Sequence, residues 1–260
     1  MAWTRRYDEP EPCRVNKWLA QSGVCSRREA EALIAQGLVS IDGERVEDAG
    51  RKIVQGQTLT LDDAGQSRLS AAFTAVLNKP VGVVSAQPEG KQIPAARLLT
   101  QDRLWGEGAQ APARDASLAP LGRLDQDSHG LLILSEDGVL AKALIGPQSD
   151  LEKEYLVRVR GALDEERIGR LRHGLALDGR QLRPAKVTQV EPQRLRFILK
   201  EGRNRQIRRM CELAGLEVTD LYRLRIGPLK LGNLPEGKWR PLTAEERGAL
   251  IAASSPRPPR

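Results

Sequence analysis

Aromatic residues, cysteines and long apolar runs are all scarce in this chain of 260 residues. Trp, Tyr and Phe make up 3 % of it, so an aromatic side chain beside a polar motif is informative. Cys13, Cys25 and Cys211 are widely spaced, which excludes a disulfide framework and a four-thiolate zinc site and leads us to expect a reducing, cytoplasmic location. No run approaches the roughly 18 apolar residues of a membrane-spanning helix, which excludes a transmembrane protein. The N-terminal segment lacks the apolar stretch of a secretory signal.

The charge of the chain is predominantly positive. Lys and Arg number 41 against 34 Asp and Glu, a net charge of +7 at pH 7. An excess of this sign favours a polyanionic partner, although charge alone does not specify which one.

The N-terminal quarter of the chain has the pattern of a small module. Residues 1–11 are polar and contain prolines, so we predict a disordered tail. Residues 12–64 carry the signals of two short helices, a hairpin and a further strand. Ser26 and Glu29 form a capping box at the start of the second helix, and an Asp-Gly turn joins the strands of the hairpin.

A linker and a larger domain follow this module. Residues 65–72 are small and polar and are predicted to form the linker, and the second domain is predicted over 73–252. Its strand and helix patterns do not alternate strictly, which predicts an α+β fold with a mixed, largely antiparallel sheet and flanking helices. The stretch 87–120 is expected to be a long surface excursion with one short helix. Residues 253–260 are basic and proline-rich and are expected to be disordered.

A dense group of polar residues, GRLDQDSHG, begins at Gly122 and precedes an apolar strand. On turn propensity alone, Asp125 and Asp127 are Asx-turn residues that cap the loop. Their spacing also matches an EF-hand calcium loop, but His129 stands where that loop needs an oxygen ligand. A hydrolase triad of Asp127, Ser128 and His129 is not supported, because triad residues come from distant segments.

A second polar stretch, KEGRNRQIRRM, begins at Lys200 and leads into a helix predicted to be capped by Asn204. Its arginines are Arg203, Arg205, Arg208 and Arg209. Cations at a helix N-terminus oppose the helix dipole at about 0.3 to 1 kcal/mol each when exposed, so helix stability does not explain them. They either hold phosphates or include one arginine that turns inward to a carboxylate. A solvated basic face is the simpler alternative.

Two strand patterns and the N-terminal module supply the remaining candidates. Tyr155 is one of only three tyrosines and follows Lys153 in a charged strand, although a strand tyrosine is most often part of the core. The basic pattern around Arg223 is typical of a strand that faces nucleic acid. Four cations cluster around the two helices of the module as phosphate contacts would: Arg14, Lys17, Arg27 and Arg28.

Together these stretches resemble the ribosomal-RNA pseudouridine synthases that carry an additional RNA-binding module at the N-terminus. The resemblance spans residues 13 to about 250. The module, through CSRREA from Cys25, resembles one shared with a small-subunit ribosomal protein and with tyrosyl-tRNA synthetases. The synthase family is marked, in its own order, by LNKPVG from Leu77, GRLDQDSHGLL from Gly122, KEYLV from Lys153 and EGRNRQIRRM from Glu201.

This resemblance implies roles for individual residues. Asp125 would be the catalytic carboxylate, Arg208 its buried partner and Tyr155 the aromatic residue against the target base, whereas Asp127 would not be the catalytic acid. An opposite charge within ~4 to 6 Å would keep Asp125 ionised. The carboxylate would either attack the sugar carbon or remove a ribose proton, and the sequence leaves both routes open. No hydride or phosphoryl group moves, so no cofactor and no metal ion are expected.

Ribosomal RNA is the partner that the resemblance implies, and the motifs favour members that act on large-subunit (23S) RNA. The target uridine must leave its stack, at a cost of a few kcal/mol that phosphate contacts would offset. These contacts are expected from Arg14, Lys17, Arg27, Arg28, Arg123, Lys153, Arg203, Arg205, Arg209 and Arg223. The protein is expected to be a monomer. The alternative hypothesis is a non-catalytic rRNA-binding or ribosome-assembly factor.

Overall fold

The computed structural model describes residues 2–173 and 175–254. No helix in this part of the chain is both long and apolar enough to cross a membrane. Of the tail predicted to be disordered over 253–260, residues 255–260 lie outside the described residues.

The chain forms two compact units. The first is drawn from the chain up to Phe73 and from Ser135–Lys142, and the second from Thr74–Leu134 and from Ala143 onward. The second unit thus begins next to residue 73, the predicted start of the second domain.

The first unit is built on a four-stranded sheet of order β1-β6-β3-β4, with β2 and β5 paired separately. Its elements are β1 (Trp3–Arg6), β2 (Cys13–Arg14), α1 (Val15–Gln21), α2 (Arg27–Ala35), β3 (Val39–Ile41), β4 (Glu44–Arg45), β5 (Lys52–Ile53), β6 (Thr58–Leu61) and α3 (Asp63–Ser70).

Helix α2 begins as the sequence predicts. The Ser26 side chain accepts a hydrogen bond from the Glu29 backbone N–H at 3.2 Å, and the Glu29 carboxylate accepts one from the Ser26 N–H at 2.6 Å. Both donors would otherwise be unsatisfied at the helix start. Leu33 and Ile34 lie on the buried face of the helix. The predicted hairpin is confirmed, because β3 and β4 pair antiparallel.

The prediction that residues 1–11 are disordered is wrong for β1. This strand pairs antiparallel with β6 along its whole length. The segment is fixed by aromatic packing, because Trp3 and Tyr7 lie with their ring centroids 5.9 and 5.4 Å from that of Trp18. The prolines that argued against a helix do not prevent a strand before them.

The predicted linker over 65–72 also contains regular structure. Helix α3 covers most of it and is capped by Asp62, whose side chain accepts from the Gly65 N–H at 2.7 Å. Gly65 lies so close to Leu61 that a Cβ would come within 2.4 Å of the leucine side chain. The glycine indicated flexibility from sequence, but here it permits close packing at a helix start.

The second unit is built on a nine-stranded sheet whose path is β13-β14-β10-β15-β9-β7-β17, with β8 beside β9 and β16 beside β15. The strands and helices after α3 are β7 (Thr74–Lys79), β8 (Ala119–Pro120), β9 (His129–Ser135), α4 (Gly138–Ile145), β10 (Lys153–Arg160), α5 (Glu165–Arg172), β11 (Ala176–Leu177), β12 (Arg180–Gln181), β13 (Lys186–Glu191), β14 (Arg194–Leu199), α6 (Gln206–Leu213), β15 (Glu217–Ile226), β16 (Leu229–Lys230), β17 (Trp239–Pro241) and α7 (Ala244–Ser254).

The sheet confirms the predicted α+β class. Neighbouring strands pair antiparallel from β13 to β15, whereas β15 and β9 are parallel. Strand β10 shows why its sequence alternates, because Tyr155, Val157 and Val159 are buried while Arg158 and Arg160 are exposed. This alternation is the pattern of a sheet with one face packed on a core.

The long excursion between β7 and β8 is tethered to the sheet. Its predicted helix is a 3₁₀ turn over Ala95–Leu98, and a second turn follows over Gln101–Arg103. The Trp239 indole N–H donates to the Thr100 carbonyl at 2.8 Å. The segment lacks long secondary structure but is held by specific hydrogen bonds.

Candidate active site

The second unit contains a cleft of about 580 Å³. Its main lining segments are Gly122–Gln126, residues 144–147, Lys153 with Tyr155 on β10, residues 199–208, and Leu221 with Arg223 on β15. Most of the motifs that the sequence singles out in the second domain therefore meet at one place.

Asp125 lies in the cleft wall with its neighbours fixed on both sides. The Ser85 hydroxyl donates to the Leu124 carbonyl at 2.6 Å and accepts from the Leu124 N–H at 2.8 Å. On the other side, the Gly82 N–H donates to the Gln126 carbonyl at 2.8 Å, and the Gln126 side chain donates back to Gly82 at 3.1 Å. These two reciprocal pairs restrict the backbone that carries the carboxylate.

Lys79 fixes the segment that supplies these contacts. It is fully buried, and its Nζ donates to the carbonyls of Pro80 and Val83 at 2.9 and 2.6 Å. Burial lowers the pKa of Lys79 to about 8, although the nearby Asp125 and Asp127 favour its charged form. The sequence marks this lysine only as part of LNKPVG and assigns it no role.

Arg205, and not the expected Arg208, is the arginine that pairs with Asp125. Its Nη1 lies 3.5 Å from Asp125 Oδ2, and the same guanidinium contacts both carboxylate oxygens of Asp127 at 3.3 and 3.1 Å. The side chain of Asp125 remains 32 % exposed. One guanidinium therefore bridges two carboxylates, and the carboxylate of Asp125 stays accessible in the cleft.

Arg208 instead holds the turn that follows Asp125. Its Nη2 donates to the Asp127 carbonyl at 2.8 Å and to the Ser128 hydroxyl at 3.2 Å, and its Nη1 donates to the Val218 carbonyl at 3.2 Å. The sequence predicted an arginine that turns inward to a carboxylate. Arg208 Nη2 does lie 3.3 Å from a carboxylate oxygen, but this is Asp127 Oδ1 and not an oxygen of Asp125. The resemblance implied Arg208 as the partner of Asp125. Arg205 and Arg208 are three residues apart and both reach the same loop, so the motif alone does not distinguish them.

The charges around Asp127 keep it ionised. Burial acts to raise the pKa of Asp127, but the hydrogen bond from Arg205 and the charge of Arg208 outweigh it, and the pKa lies below its usual range. The guanidinium groups of Arg205 and Arg208 both contact the Asp127 carboxylate. This arrangement argues against Asp127 as a calcium ligand. Among the described residues, no cluster of three or more His, Cys, Asp or Glu side chains has the arrangement of a metal site.

The start of helix α6 differs from the predicted cap at Asn204. Arg205 occupies the N-cap position with a left-handed backbone, φ 47° and ψ 34°, and makes no side-chain cap. The Gln206 side chain organises the turn by accepting from the Arg203 N–H at 2.9 Å and donating to Glu201 at 3.0 Å. A left-handed conformation is uncommon for a residue with a long side chain. Here it accompanies the placement of the Arg205 guanidinium between two acids.

Tyr155 and Arg223 are neighbours in the register of β10 and β15 and both line the cleft. Tyr155 is largely buried at 8 % exposure. Arg223 is 1 % exposed, and its guanidinium donates to the Leu131 and Arg123 carbonyls at 2.7 and 3.3 Å. The prediction of Arg223 as a surface phosphate contact is therefore wrong, because its side chain is buried in the cleft wall and its guanidinium is bound to backbone carbonyls.

Lys153, also in the cleft wall, lies near this buried arginine. Burial and the charge of Arg223 both lower the pKa of Lys153. The ammonium group of Lys153 is therefore less solvated than that of a lysine that binds phosphate at the protein surface.

Two further arginines of the KEGRNRQIRRM stretch, which we call the basic motif, already bind groups of the protein. Arg203 donates to the Leu177 carbonyl at 3.0 Å on the hairpin of β11 and β12. Arg209 forms a bidentate pair with Asp178 at 3.0 and 2.7 Å. With Arg205 and Arg208, every arginine of this motif is held by protein groups.

His129, the histidine of GRLDQDSHG, contacts Asp220 and Tyr222. His129 Nε2 lies 2.8 Å from Asp220 Oδ1, and its ring stacks on Tyr222 with centroids 4.4 Å apart. This arrangement agrees with the argument against a triad with Asp127 and Ser128.

The cations predicted in the first unit have a different environment. Arg14, Lys17, Arg27 and Arg28 are exposed, and among the described residues none of them has an ion pair or side-chain hydrogen bond. Three of the four line one surface depression together with Lys52, which the sequence analysis did not select.

Two cations at the cleft were also missed. Arg183 lies 2.6 Å from Asp150 and Lys200 lies 3.6 Å from the same carboxylate, and both basic residues line the cleft. Lys200 begins the basic motif, which was an available signal. Arg183 follows a two-residue strand in a region without a recognisable motif, so only the fold brings it to the site.

Comparison with known proteins identifies the family to which this chain belongs. Residues 74–213 match the family described as RNA pseudouridylate synthase, a segment that contains the whole of the Asp125 loop and the basic motif. The chain belongs to this family. The motifs of the sequence had indicated this same enzyme family. Residues 13–59 match the S4 domain, and they lie within the predicted N-terminal module.

Individual relatives support the family assignment over most of the chain. The dual-specificity RNA pseudouridine synthase RluF of Salmonella typhi is 37 % identical over 235 residues, which cover 90 % of this chain and 76 % of the relative. The ribosomal large subunit pseudouridine synthase B of Bacillus subtilis is 34 % identical over 245 residues, which cover 92 % of this chain and 96 % of the relative. A crystal structure of a pseudouridylate synthase superposes with a TM-score of 0.63 at 26 % identity, covering 92 % of this chain and 99 % of that one.

Proposed function

We propose that this pseudouridine synthase acts on ribosomal RNA, where it converts a specific uridine to pseudouridine with Asp125 as the catalytic carboxylate. The observation that carries the proposal is the position of Asp125. It is an accessible acid in a cleft, paired with Arg205 and fixed through Leu124 and Gln126 by hydrogen bonds to the segment after β7. A group that must meet a reacting carbon gains from such restriction, because orientation lowers the barrier.

The reaction is an isomerisation in which atoms and electrons balance within the nucleotide. The bond from uracil N1 to ribose C1′ breaks, a bond from C5 to C1′ forms, the C5 proton leaves and N1 gains a proton. An ionised Asp125 would serve either as the nucleophile at C1′ or as the base at the adjacent ribose carbon. Arg205 Nη1 lies 3.5 Å from the Asp125 carboxylate that both routes use, so a positive charge faces the reacting group.

Tyr155 is proposed to pack against the uracil and to help remove the C5 proton after the new bond has formed. It lines the same cleft as Asp125 and lies on β10, which pairs with a strand on each side. Arg208 is proposed to act as a positioning residue, because its guanidinium binds the turn directly after Asp125.

Large-subunit ribosomal RNA is the proposed substrate. The Bacillus subtilis relative is named for the ribosomal large subunit, and the motifs of this chain favour the same substrate. The exposed cations Arg14, Lys17, Arg27 and Arg28 are proposed to bind RNA phosphates, and Arg123 and Lys153 to contact the RNA at the cleft. We propose that the protein acts as a cytoplasmic monomer.

The experiment is to incubate the protein with transcripts of large- and small-subunit ribosomal RNA and to map pseudouridine in each. We expect one or a few uridines to be converted in the large-subunit transcript. An Asp125→Asn variant should bind the RNA but lose at least about 1,000-fold in rate, within the range for loss of a catalytic acid-base group. Asp115→Asn, which alters an exposed acid outside the cleft, is the matched control and should retain full activity.

The alternative hypothesis of a non-catalytic binding or assembly factor makes the opposite prediction. Under it, the wild-type protein binds the transcripts, yet no proton is released from C5 of labelled uridine. Full activity of Asp125→Asn would contradict the assignment of the catalytic carboxylate while leaving the reaction itself in place.

A further inference from the structure

A small cluster of charges lies at the cleft wall, apart from the loop that carries Asp125. Arg183 Nη1 lies 2.6 Å from Asp150 Oδ1, and Lys200 Nζ lies 3.6 Å from Asp150 Oδ2. Arg183 and Lys200 both line the cleft. Each oxygen of one carboxylate therefore faces one cation, and two positive charges meet a single negative charge.

This cluster contributes little to the stability of the fold. The side chains of Arg183, Asp150 and Lys200 are 58, 56 and 50 % exposed. An exposed ion pair contributes about 0.2 to 1 kcal/mol, because water screens the charges and two side chains lose freedom. The hydrogen bond from Arg183 lowers the pKa of Asp150, and the charge of Lys200 acts in the same direction. The carboxylate is thus held in its ionised form without a structural need for it.

The two cations come from separate segments that Glu201 ties together. The Arg183 N–H donates to Glu201 Oε1 at 3.0 Å, and the same oxygen accepts from the Gln206 side chain at 3.0 Å. The Glu201 side chain is only 17 % exposed, and Lys200 directly precedes it in the chain. The fold therefore sets the spacing of Arg183 and Lys200, although their charged ends reach solvent.

A phosphodiester group matches the contacts that the Asp150 carboxylate makes. Both groups present one negative charge on two oxygens, and arginine and lysine bind both of them. RNA that brings a uridine to Asp125 must also bring its backbone to the cleft that Arg183 and Lys200 line. We propose that Asp150 occupies the place of an RNA phosphate in the free protein, and that one backbone phosphate replaces it on Arg183 and Lys200 when the substrate binds.

This exchange makes the phosphate contact conditional. A phosphate gains the two cations only as Asp150 gives them up, so the contact adds less to affinity than two free cations would. A built-in competitor of this kind acts against RNA that binds through charge alone, which is a means of specificity. Asp150 is thus expected to weaken RNA binding, and its removal to strengthen it.

The inference rests on the proposed function for its RNA substrate, but binding alone tests it. The probe is a short RNA that carries the segment of large-subunit ribosomal RNA protected from cleavage by the wild-type protein. Its dissociation constant at moderate salt is measured for wild type and Asp150→Asn. The same change is made in a background that carries Arg183→Gln and Lys200→Gln. Glu191→Gln, which removes the acid of an exposed ion pair with Arg194 outside the cleft, is the matched control.

We expect Asp150→Asn to tighten binding about three- to fivefold, as the loss of a competing exposed ion pair implies. In the background without both cations, the same change should alter the dissociation constant by less than about 1.5-fold, because the coupled partners are absent. Glu191→Gln should bind as wild type does. Single replacement of each probe phosphate by a neutral methylphosphonate should reveal one position at which Asp150→Asn no longer tightens binding.

Several results would overturn the inference. Wild-type affinity in Asp150→Asn would show that this acid does not compete with RNA. Equal tightening by Glu191→Gln, or tightening that persists without Arg183 and Lys200, would show a general effect of net charge. An effect that no single methylphosphonate removes would exclude the exchange with one phosphate. A wild-type protein that binds the RNA but converts no uridine would instead overturn the proposed reaction, which keeps the two failures distinct.

Discussion

The cations of the two units look alike in sequence but differ in the structure. In the first unit Arg14, Lys17 and Arg27 are exposed and have no ion pair among the described residues. In the second unit the arginines of the basic motif contact carboxylates or backbone carbonyls, as with Arg205 on Asp127 and Arg209 on Asp178.

This difference separates two uses of positive charge. A free cation gains by meeting an RNA phosphate, because binding releases the counterions of the nucleic acid. A guanidinium already bound to a carboxylate must give up that partner first, so it contributes less to affinity and more to the shape of the site. We therefore assign RNA affinity mainly to the first unit and the organisation of Asp125 to the second.

The largest expected effect concerns Lys79, the most deeply buried cation of the second unit. Burial lowers its pKa from 10.5 in the unfolded chain to about 8, so between these pH values the unfolded chain binds the proton more tightly. The free energy of unfolding should rise with pH across this window, and this contribution is lost again as pH falls through 8. Relative to Lys79→Met, the rise should reach about 3 kcal/mol.

Urea denaturation across this pH range measures the effect. Lys230→Met, a change at an exposed lysine, serves as the control and should show the same pH dependence as wild type. Parallel curves for wild type and Lys79→Met would contradict the account of Lys79 as a buried cation stabilised only by carbonyls and nearby acids.

The next effect concerns the arginine that bridges two acids. Arg205→Ala removes the contacts to Asp125 and Asp127 and should lower the single-turnover rate about 100-fold, since charged hydrogen bonds contribute about 1.5 to 3 kcal/mol. RNA affinity should change little. Arg209→Ala, which breaks an exposed ion pair outside the cleft, is the matched control and should stay within about threefold of wild type.

A smaller effect is expected from the first unit. The triple variant Arg14→Gln, Lys17→Gln and Arg27→Gln should weaken RNA binding about tenfold at moderate salt while leaving the single-turnover rate at saturating RNA unchanged. Gel-shift titrations and rapid-quench kinetics on the same transcript measure the two quantities. A triple variant with a reduced single-turnover rate at saturating RNA but unchanged RNA affinity would contradict the assignment of RNA affinity to the first unit.

Much of the fold could be predicted from local patterns. The capping box at Ser26 and the alternation of Tyr155, Val157 and Val159 each depend on neighbouring residues, and the structure contains both features. The N-terminal strand could not be predicted in this way, because its order depends on Trp3 and Tyr7 meeting Trp18 across the fold.

The sequence predicted which residues form the site, but not which residues each of them contacts. The motifs predicted that Asp125, Tyr155 and the arginines of the basic motif come together, and the structure brings Asp125, Tyr155 and all of these arginines except Arg209 to one cleft. Which arginine faces Asp125 depends on the left-handed backbone of Arg205, a conformation that sequence does not indicate for arginine. Arg223 was assigned to the surface because a basic strand gives no sign of which face is buried.

The division between free and committed cations is tested most directly by the salt dependence of RNA binding. The logarithm of the association constant is measured against the logarithm of salt concentration for wild type, the triple variant of the first unit and Arg205→Ala. Each phosphate contact contributes about 0.7 to 0.9 to the slope, so the triple variant should lose about 2 to 3 in slope. The slope of Arg205→Ala should equal that of wild type. An unchanged slope for the triple variant together with a reduced slope for Arg205→Ala would contradict the account.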